Sequence, residues 1–163
     1  MVRYGIVGCG AIYGTHVDAI KNIEGASLAC FYDTNCEKAA DAADKHGAPA
    51  AKSPEELFAV CDAVSICVPS GLHAEVGQKA AKAGKHVIVE KPIDVNLSVA
   101  KRLVDTCKEA GVKLACISQH RFSSAICELH DAAQGGEFGQ LISSVDVLSG
   151  GLRGGQARDQ RDD

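Results

Sequence analysis

Arg3-Tyr4-Gly5-Ile6-Val7-Gly8-Cys9-Gly10-Ala11-Ile12-Tyr13-Gly14-Thr15-His16 reads as strand, glycine turn and helix. Tyr4 to Val7 is the short apolar run that a buried parallel strand needs. From Ile12 the apolar positions recur at helical spacing through His16, Ala19, Ile20 and Ile23. Gly8 and Gly10 stand in the turn between the two elements. Glycines spaced this way let the backbone turn tightly and approach a pyrophosphate, while the free N–H groups that open the helix face its oxygens. The strict dinucleotide pattern asks for a small residue where Tyr13 stands, to let helix and strand pack closely, and Gly14 comes one residue late.

The next apolar strand, Ala26 to Tyr32, ends on Asp33. An acid roughly 20 residues past the glycine turn is placed to accept hydrogen bonds from the adenosine ribose hydroxyls, and it repels a 2′-phosphate. That favours NAD over NADP. The competing reading makes Asp33 a cap for the following helix, and Thr34 with Glu37 does form a capping-box pattern there. Asn35 to His46 is an alanine-rich helix stopped by Gly47, and Ser53-Pro54-Glu55-Glu56 opens another with cap and N1 proline together.

Ala63 to Val68 is a further buried strand, running into Pro69-Ser70-Gly71-Leu72-His73 and a helix that ends near Gly84. In an open parallel sheet the ligand lies beyond the carboxyl ends of the strands, so this loop belongs beside the glycine turn. His73 is either a polar surface residue or a contact to cofactor or substrate. Lys85-His86-Val87-Ile88-Val89-Glu90-Lys91-Pro92 is a β-branched strand that must break at its proline, leaving Glu90 and Lys91 at the ligand-facing end. A lysine there can hydrogen-bond a substrate hydroxyl or carbonyl, or lose its proton and act as a base. The other reading of Glu90 and Lys91 is a solvated charge pair.

An amphipathic helix follows from Leu97 to Ala110, and Lys113 to Ile117 is counted as the sixth strand. Strand and helix alternate to this point, for which right-handed parallel crossovers are the natural solution. The predicted fold class is α/β, a doubly wound parallel sheet of Rossmann type. A helix over Ser124 to Ala133 and a strand over Leu141 to Leu148 come next. Gly150 to Asp163, mostly glycine, arginine and aspartate with one leucine, reads as a disordered tail.

Composition narrows the class further. At 163 residues the chain can bury a core without disulfides or metal, and a net charge of -4 with no basic block offers no footprint for nucleic acid or an anionic membrane. The eight cysteines are scattered with no C-x-x-C pair, so neither a zinc site nor a disulfide framework is expected. No signal-peptide pattern or membrane-length apolar run is present, which reads as a cytoplasmic protein with reduced thiols.

The glycine turn, the Pro69–His73 loop and above all Gly84-Lys85-His86-Val87-Ile88-Val89-Glu90-Lys91-Pro92 together resemble the Gfo/Idh/MocA oxidoreductases, the glucose–fructose oxidoreductase and inositol dehydrogenase family. The resemblance runs from about Val2 to about Gly150 and implies an NAD(P)-dependent oxidoreductase acting on a sugar or polyol. It implies that Gly8, Gly10, Ala11 and Ile12 hold the pyrophosphate and Asp33 the adenosine ribose. Val68, Pro69 and His73 would line the cofactor groove. Glu90 and Lys91 would lie beside the nicotinamide ribose and ring, with Lys91 the catalytic residue that reaches the reacting hydroxyl. It also implies a cis peptide entering Pro92, a crossing to the substrate domain that begins at Gln119 and Arg121, with Arg121 facing substrate, and NADP as an alternative cofactor.

Family members have a longer second half whose open antiparallel sheet forms most of the sugar pocket. The expected organisation is therefore a nucleotide domain over 1–120, a remnant of the substrate domain over 121–150 and a tail over 151–163. The rival functions are a truncated, non-catalytic NAD(P)-binding module and an inert truncation product. Because the strand over 141–148 lacks further strands to pair with, a homodimer through it is expected.

Overall fold

A computed structural model describes residues 1–140, so the strand expected over 141–148, the dimer through it and the tail lie outside the described residues. The chain forms two compact units, Met1–Gln119 and a second that begins at His120. The first is a sheet of five parallel strands, β1 (Val2–Val7), β2 (Ala26–Tyr32), β3 (Ala63–Ile66), β4 (His86–Val89) and β5 (Leu114–Cys116), in the order β2-β1-β3-β4-β5. Between them lie α1 (Tyr13–Lys21), α2 (Cys36–His46), α3 (Pro54–Val60), α4 (His73–Lys82) and α5 (Leu97–Glu109). The second unit contains α6 (Ser124–Gln134).

The expected count of six strands is corrected to five. A segment between α2 and α3 does reach the sheet beside β2, but it makes only an isolated bridge, Phe31 to Ala50, with the Phe31 amide donating to the Pro49 carbonyl at 2.9 Å and the Ala51 amide to the Phe31 carbonyl at 2.8 Å. With this bridge standing in third place, β5 takes the sixth position in chain order. Proline at 49 lacks the N–H that a longer ladder would need.

Strand pleating divides the core between the two faces of the sheet. Val7, Cys30, Val64, Ile66, Val87 and Val89 bury against Leu57 and Phe58 of α3, alanines of α4 and Leu103 of α5. Ile6 and Phe31, one residue out of phase with Val7 and Cys30, bury against Val17 and Ile20 of α1 and Ala42 of α2. The chain thus winds both ways from β1, and the split between β1 and β3 opens a crevice at the strands' carboxyl ends.

Local chemistry fixes the helix ends. The Ser53 hydroxyl accepts from the Glu56 amide at 3.2 Å with Pro54 at the first helical position, as the sequence predicts. At α2 the cap is Asn35 rather than Thr34: its Oδ1 accepts from the amides of Glu37 at 2.9 Å and Lys38 at 3.4 Å. Gly47 ends that helix in the left-handed region.

Opposite the crevice, at the amino end of the sheet, Arg3 makes a forked contact to Asp62, with Nη2 to Oδ1 at 2.7 Å and Nε to Oδ2 at 3.1 Å. The guanidinium and the Arg3 amide hold the Asp62 carboxyl well below the usual carboxylate range. A depressed folded pKa contributes stability above the unfolded value and loses it as pH falls through the folded one. Asp62→Asn should therefore lower the melting temperature slightly at neutral pH, and the gap to the parent should shrink as the buffer is taken well below pH 4, about the unfolded value. A gap that stays constant down to strongly acid pH would show that the pair contributes nothing through its charge.

Candidate functional site

The glycine turn lies at the crevice and its backbone is specified there. Gly8 adopts φ +96°, its amide donates to the Tyr32 carbonyl at 2.8 Å, and a Cβ on it would come within 2.7 Å of the Cys67 carbonyl group. Only glycine fits this close approach of β1's end to β3's end. A Cβ on Gly10, by contrast, would meet nothing within 4 Å. Gly10 is exposed toward open space, which is the room a ligand's phosphates need.

The helix that follows begins at Tyr13, with Ile12 at its cap position. No side chain caps it and no acid stands in its first turn. Its opening N–H groups are left to solvent or to an anion. Tyr13 is accommodated by edge-on packing of its ring, which meets Phe31 at 6.0 Å and His46 at 5.7 Å between ring centroids. Gly14 has no neighbour that a side chain would strike, so it does not take over the packing role of the missing third glycine.

Asp33 does not cap α2. Its Oδ2 accepts from the Cys9 amide at 2.7 Å and its Oδ1 from the Asn35 amide at 2.8 Å. The carboxylate therefore ties the glycine turn to the end of β2 and, half-buried, keeps lone pairs for further donors. Beside it opens a cavity of about 410 Å³ whose lining includes Gly8, Gly10, Asp33, Thr34, Lys38 and Val68. Its apolar wall comes from Pro54, Phe58, Leu72 and Val76. The volume and the mix of apolar wall with a few polar groups suit a small-molecule ligand such as a nucleoside.

Two thiols flank the crevice and are chemically quiet. Burial, reinforced by the Asp33 charge, pushes the Cys9 thiol up to about 12, and burial also pushes Cys67 to about 12 against a hydrogen bond from Ser65. Neither is a thiolate near neutral pH, so neither offers a nucleophile.

On the far side of β3, the pairing of Ile66 with Val89 brings Glu90 and Lys91 level with Cys67 and Val68. The Glu90 amide donates to the Ile66 carbonyl at 3.3 Å. The peptide entering Pro92 is cis, as the resemblance implies. Lys91 is exposed with no side-chain partner among the described residues, whereas Glu90 is mostly buried. The pair is thus not the solvated ion pair that was the other reading. Glu90 Oε1 faces Nε2 of His16 at 2.9 Å, and Nδ1 of His16 faces the Ser65 hydroxyl at 2.6 Å. The sequence places His16 only on an apolar helical stripe, and that local pattern does not reveal this chain of buried polar groups. Its signal was present in Ser65, a hydroxyl in the middle of an otherwise apolar strand.

His73 is corrected. It does not line the groove surface but is 2 % exposed, with Nδ1 against the Pro92 carbonyl at 2.6 Å and Nε2 against the Val68 carbonyl at 2.8 Å. Both ring nitrogens are occupied, leaving none for a cofactor. It works from behind, joining the loop after β3 to the turn after β4. Val68 and Pro69 do line the cavity. Arg121 lies exposed in a short 3-10 turn, Gln119–Phe122, and falls in the second compact unit.

A doubly wound parallel sheet with an open glycine turn, an uncapped helix start and an acid at the end of β2 defines a dinucleotide-binding domain of Rossmann type. The chain belongs to the GFO_IDH_MocA family, "Oxidoreductase family, NAD-binding Rossmann fold", whose model matches residues 2–118. It is 32% identical over 142 residues to the myo-inositol 2-dehydrogenase of Thermotoga maritima, covering 85% of this chain and 42% of that protein. To the glucose-6-phosphate 3-dehydrogenase of Bacillus subtilis it is 27% identical over 143 residues, covering 88% of this chain and 41% of that one. Among solved structures, the WlbA dehydrogenase of Bordetella pertussis in complex with NADH and UDP-GlcNAcA is similar, with TM-score 0.82, 36% identity, and 85% of this chain and 43% of that chain covered. The chain therefore spans less than half the length of these relatives. Among the described residues no helix is long and apolar enough to cross a membrane.

Proposed function

We propose that the chain is an NAD(P)-dependent oxidoreductase acting on a hydroxyl-bearing carbon of a sugar or polyol, with NAD preferred. The observation that carries this reading is the register of β3 with β4, which sets the Glu90–Lys91 turn next to Cys67 and Val68 at the wall of the cavity. The relatives named for inositol and glucose 6-phosphate support the substrate class. Residues 1–120 are the nucleotide domain, and Arg121 is assigned to substrate.

A bound nicotinamide cofactor supplies the ring carbon that accepts or donates hydride. The residues of this chain do the rest. Gly8, Gly10, Ala11 and Ile12 present backbone N–H groups to the pyrophosphate, and Asp33 accepts from the adenosine ribose. Glu90 stands beside the nicotinamide ribose. Lys91, whose side chain has no partner among the described residues, meets the substrate oxygen: as the neutral amine it takes the hydroxyl proton on oxidation, and the ammonium so formed returns that proton on reduction. Reduction of NAD with a panel of sugars and polyols tests the reading, and its failure with cofactor still bound would leave a nucleotide-binding module instead.

Cofactor choice follows from Asp33. At equal concentration NAD should raise the melting temperature more than NADP. Asp33→Ala should narrow or reverse that difference, because Lys38 on the same rim is then free to meet a 2′-phosphate. Equal shifts with both cofactors in the parent would remove Asp33 from this role.

A further inference from the structure

We propose that His16 is a positioning residue for Lys91, acting through Glu90. The turn Glu90-Lys91-Pro92 is gripped on both sides of the lysine and not at the lysine side chain. Behind it, the His73 ring meets the Pro92 carbonyl at 2.6 Å. In front of it, Glu90 reaches back into the domain, with one carboxylate oxygen accepting from His16 Nε2 at 2.9 Å and the other from the Lys91 amide at 3.2 Å. The carboxylate thus links the histidine to the backbone of Lys91.

The arrangement is directional. A carboxylate only accepts, so Nε2 of His16 must donate to it whether the ring carries one proton or two. In the neutral ring Nδ1 is then the acceptor, and the Ser65 hydroxyl, 2.6 Å away, donates to it. His16 is 9 % exposed and Ser65 1 %, so neither has water as an easy substitute. Three elements, β3, α1 and the end of β4, are locked by two bonds whose final acceptor is the residue preceding Lys91. A long exposed side chain held at its base in this way loses fewer orientations than one on a free loop.

The inference rests on the reading above only in taking the Glu90–Lys91 turn to face the nicotinamide half of the cofactor. Calorimetric titration of the full chain with NAD and with ADP-ribose, which lacks the nicotinamide, separates the two halves. In His16→Leu the NAD dissociation constant should rise about tenfold, the scale of one lost bond to a charged group, with ADP-ribose binding within about twofold of the parent. His16→Gln, whose amide keeps a donor near Nε2, should recover most of the NAD affinity. Labelling of Lys91 by an amine reagent, read by mass against the exposed Lys82, should change in His16→Leu and return toward the parent in His16→Gln. Should the leucine variant fail to fold, Ser65→Ala carries the same comparison with a smaller change.

Equal weakening of NAD and ADP-ribose, or parent-like NAD binding and Lys91 labelling in His16→Leu, would overturn the role. A parent chain that binds NAD no tighter than ADP-ribose would instead overturn the nicotinamide reading, and the labelling of Lys91 would still decide whether His16 positions it.

Discussion

Lys91→Met will lose roughly a hundredfold or more in turnover while its affinity for NAD changes little, the usual scale for removing a positioned acid or base. Methionine keeps the unbranched stem and removes only the ammonium, so packing at this exposed position is disturbed least. The expectation follows from the division of labour at the site. On the proposed reading affinity is spread over the glycine turn, Asp33, the cavity and Glu90 at the nicotinamide ribose, whereas Lys91, just past the end of β4, carries a side chain without a partner among the described residues. Steady-state NAD reduction with the substrate found from the sugar and polyol panel, beside a direct cofactor titration, measures the two quantities separately. A variant that binds NAD and turns over at the parent rate would return Lys91 to a solvated surface charge.

The second large effect is on the fold and the site together. Gly8→Ala should destabilise the chain by about 2–6 kcal/mol, combining backbone strain at positive φ of about 1–3 kcal/mol with overpacking of about 1–3 kcal/mol. Both terms apply because φ is +96° and the added carbon would lie 2.7 Å from the Cys67 carbonyl carbon and oxygen. Those atoms are backbone of the loop after β3 and cannot swing aside as a side chain would. A loss of this size is a large fraction of a typical domain's stability. Gly10→Ala is the matched comparison: with nothing within 4 Å its melting temperature should stay near the parent's, yet NAD affinity should fall at least about tenfold because the methyl takes the phosphates' room. Thermal melts of both variants with and without NAD read the contrast. If Gly8→Ala melted like the parent, the close approach of β1 to β3 would not be required by the fold.

The same two glycines mark how far sequence alone reaches. Spacing reads both as parts of one phosphate turn, but only the tertiary structure separates Gly8, which the close approach of β1 to β3 requires, from Gly10, beside which the space is open. The strands were legible because a doubly wound parallel sheet is buried on both faces, and runs such as Ala26–Tyr32 and Ala63–Ile66 are continuous apolar segments between polar helices. Asp33 was legible because its place depends on the length of one βαβ unit. The local pattern points to Thr34 where Asn35 is the cap because either polar residue satisfies it, and the Asx turn that Asp33 makes with the Asn35 amide selects between them.

What sequence could not supply is any relation between residues far apart in the chain. His16, Ser65 and Glu90 sit on three elements separated by 49 and 74 positions from His16, and nothing local in α1 distinguishes a histidine on an apolar stripe from one that donates to a buried carboxylate. His73 shows the converse: its place at the end of a strand-to-helix loop suggests the ligand, but the crossover turns the ring inward onto two carbonyls. Local spacing determined the fold class, the glycine turn, Asp33 and the Glu90–Lys91 turn, because each is encoded within one strand–helix repeat. Which polar side chains face the groove and which brace it from behind was decided only when β3 and β4 paired in register, since that pairing alone sets the end of one strand against the end of the next.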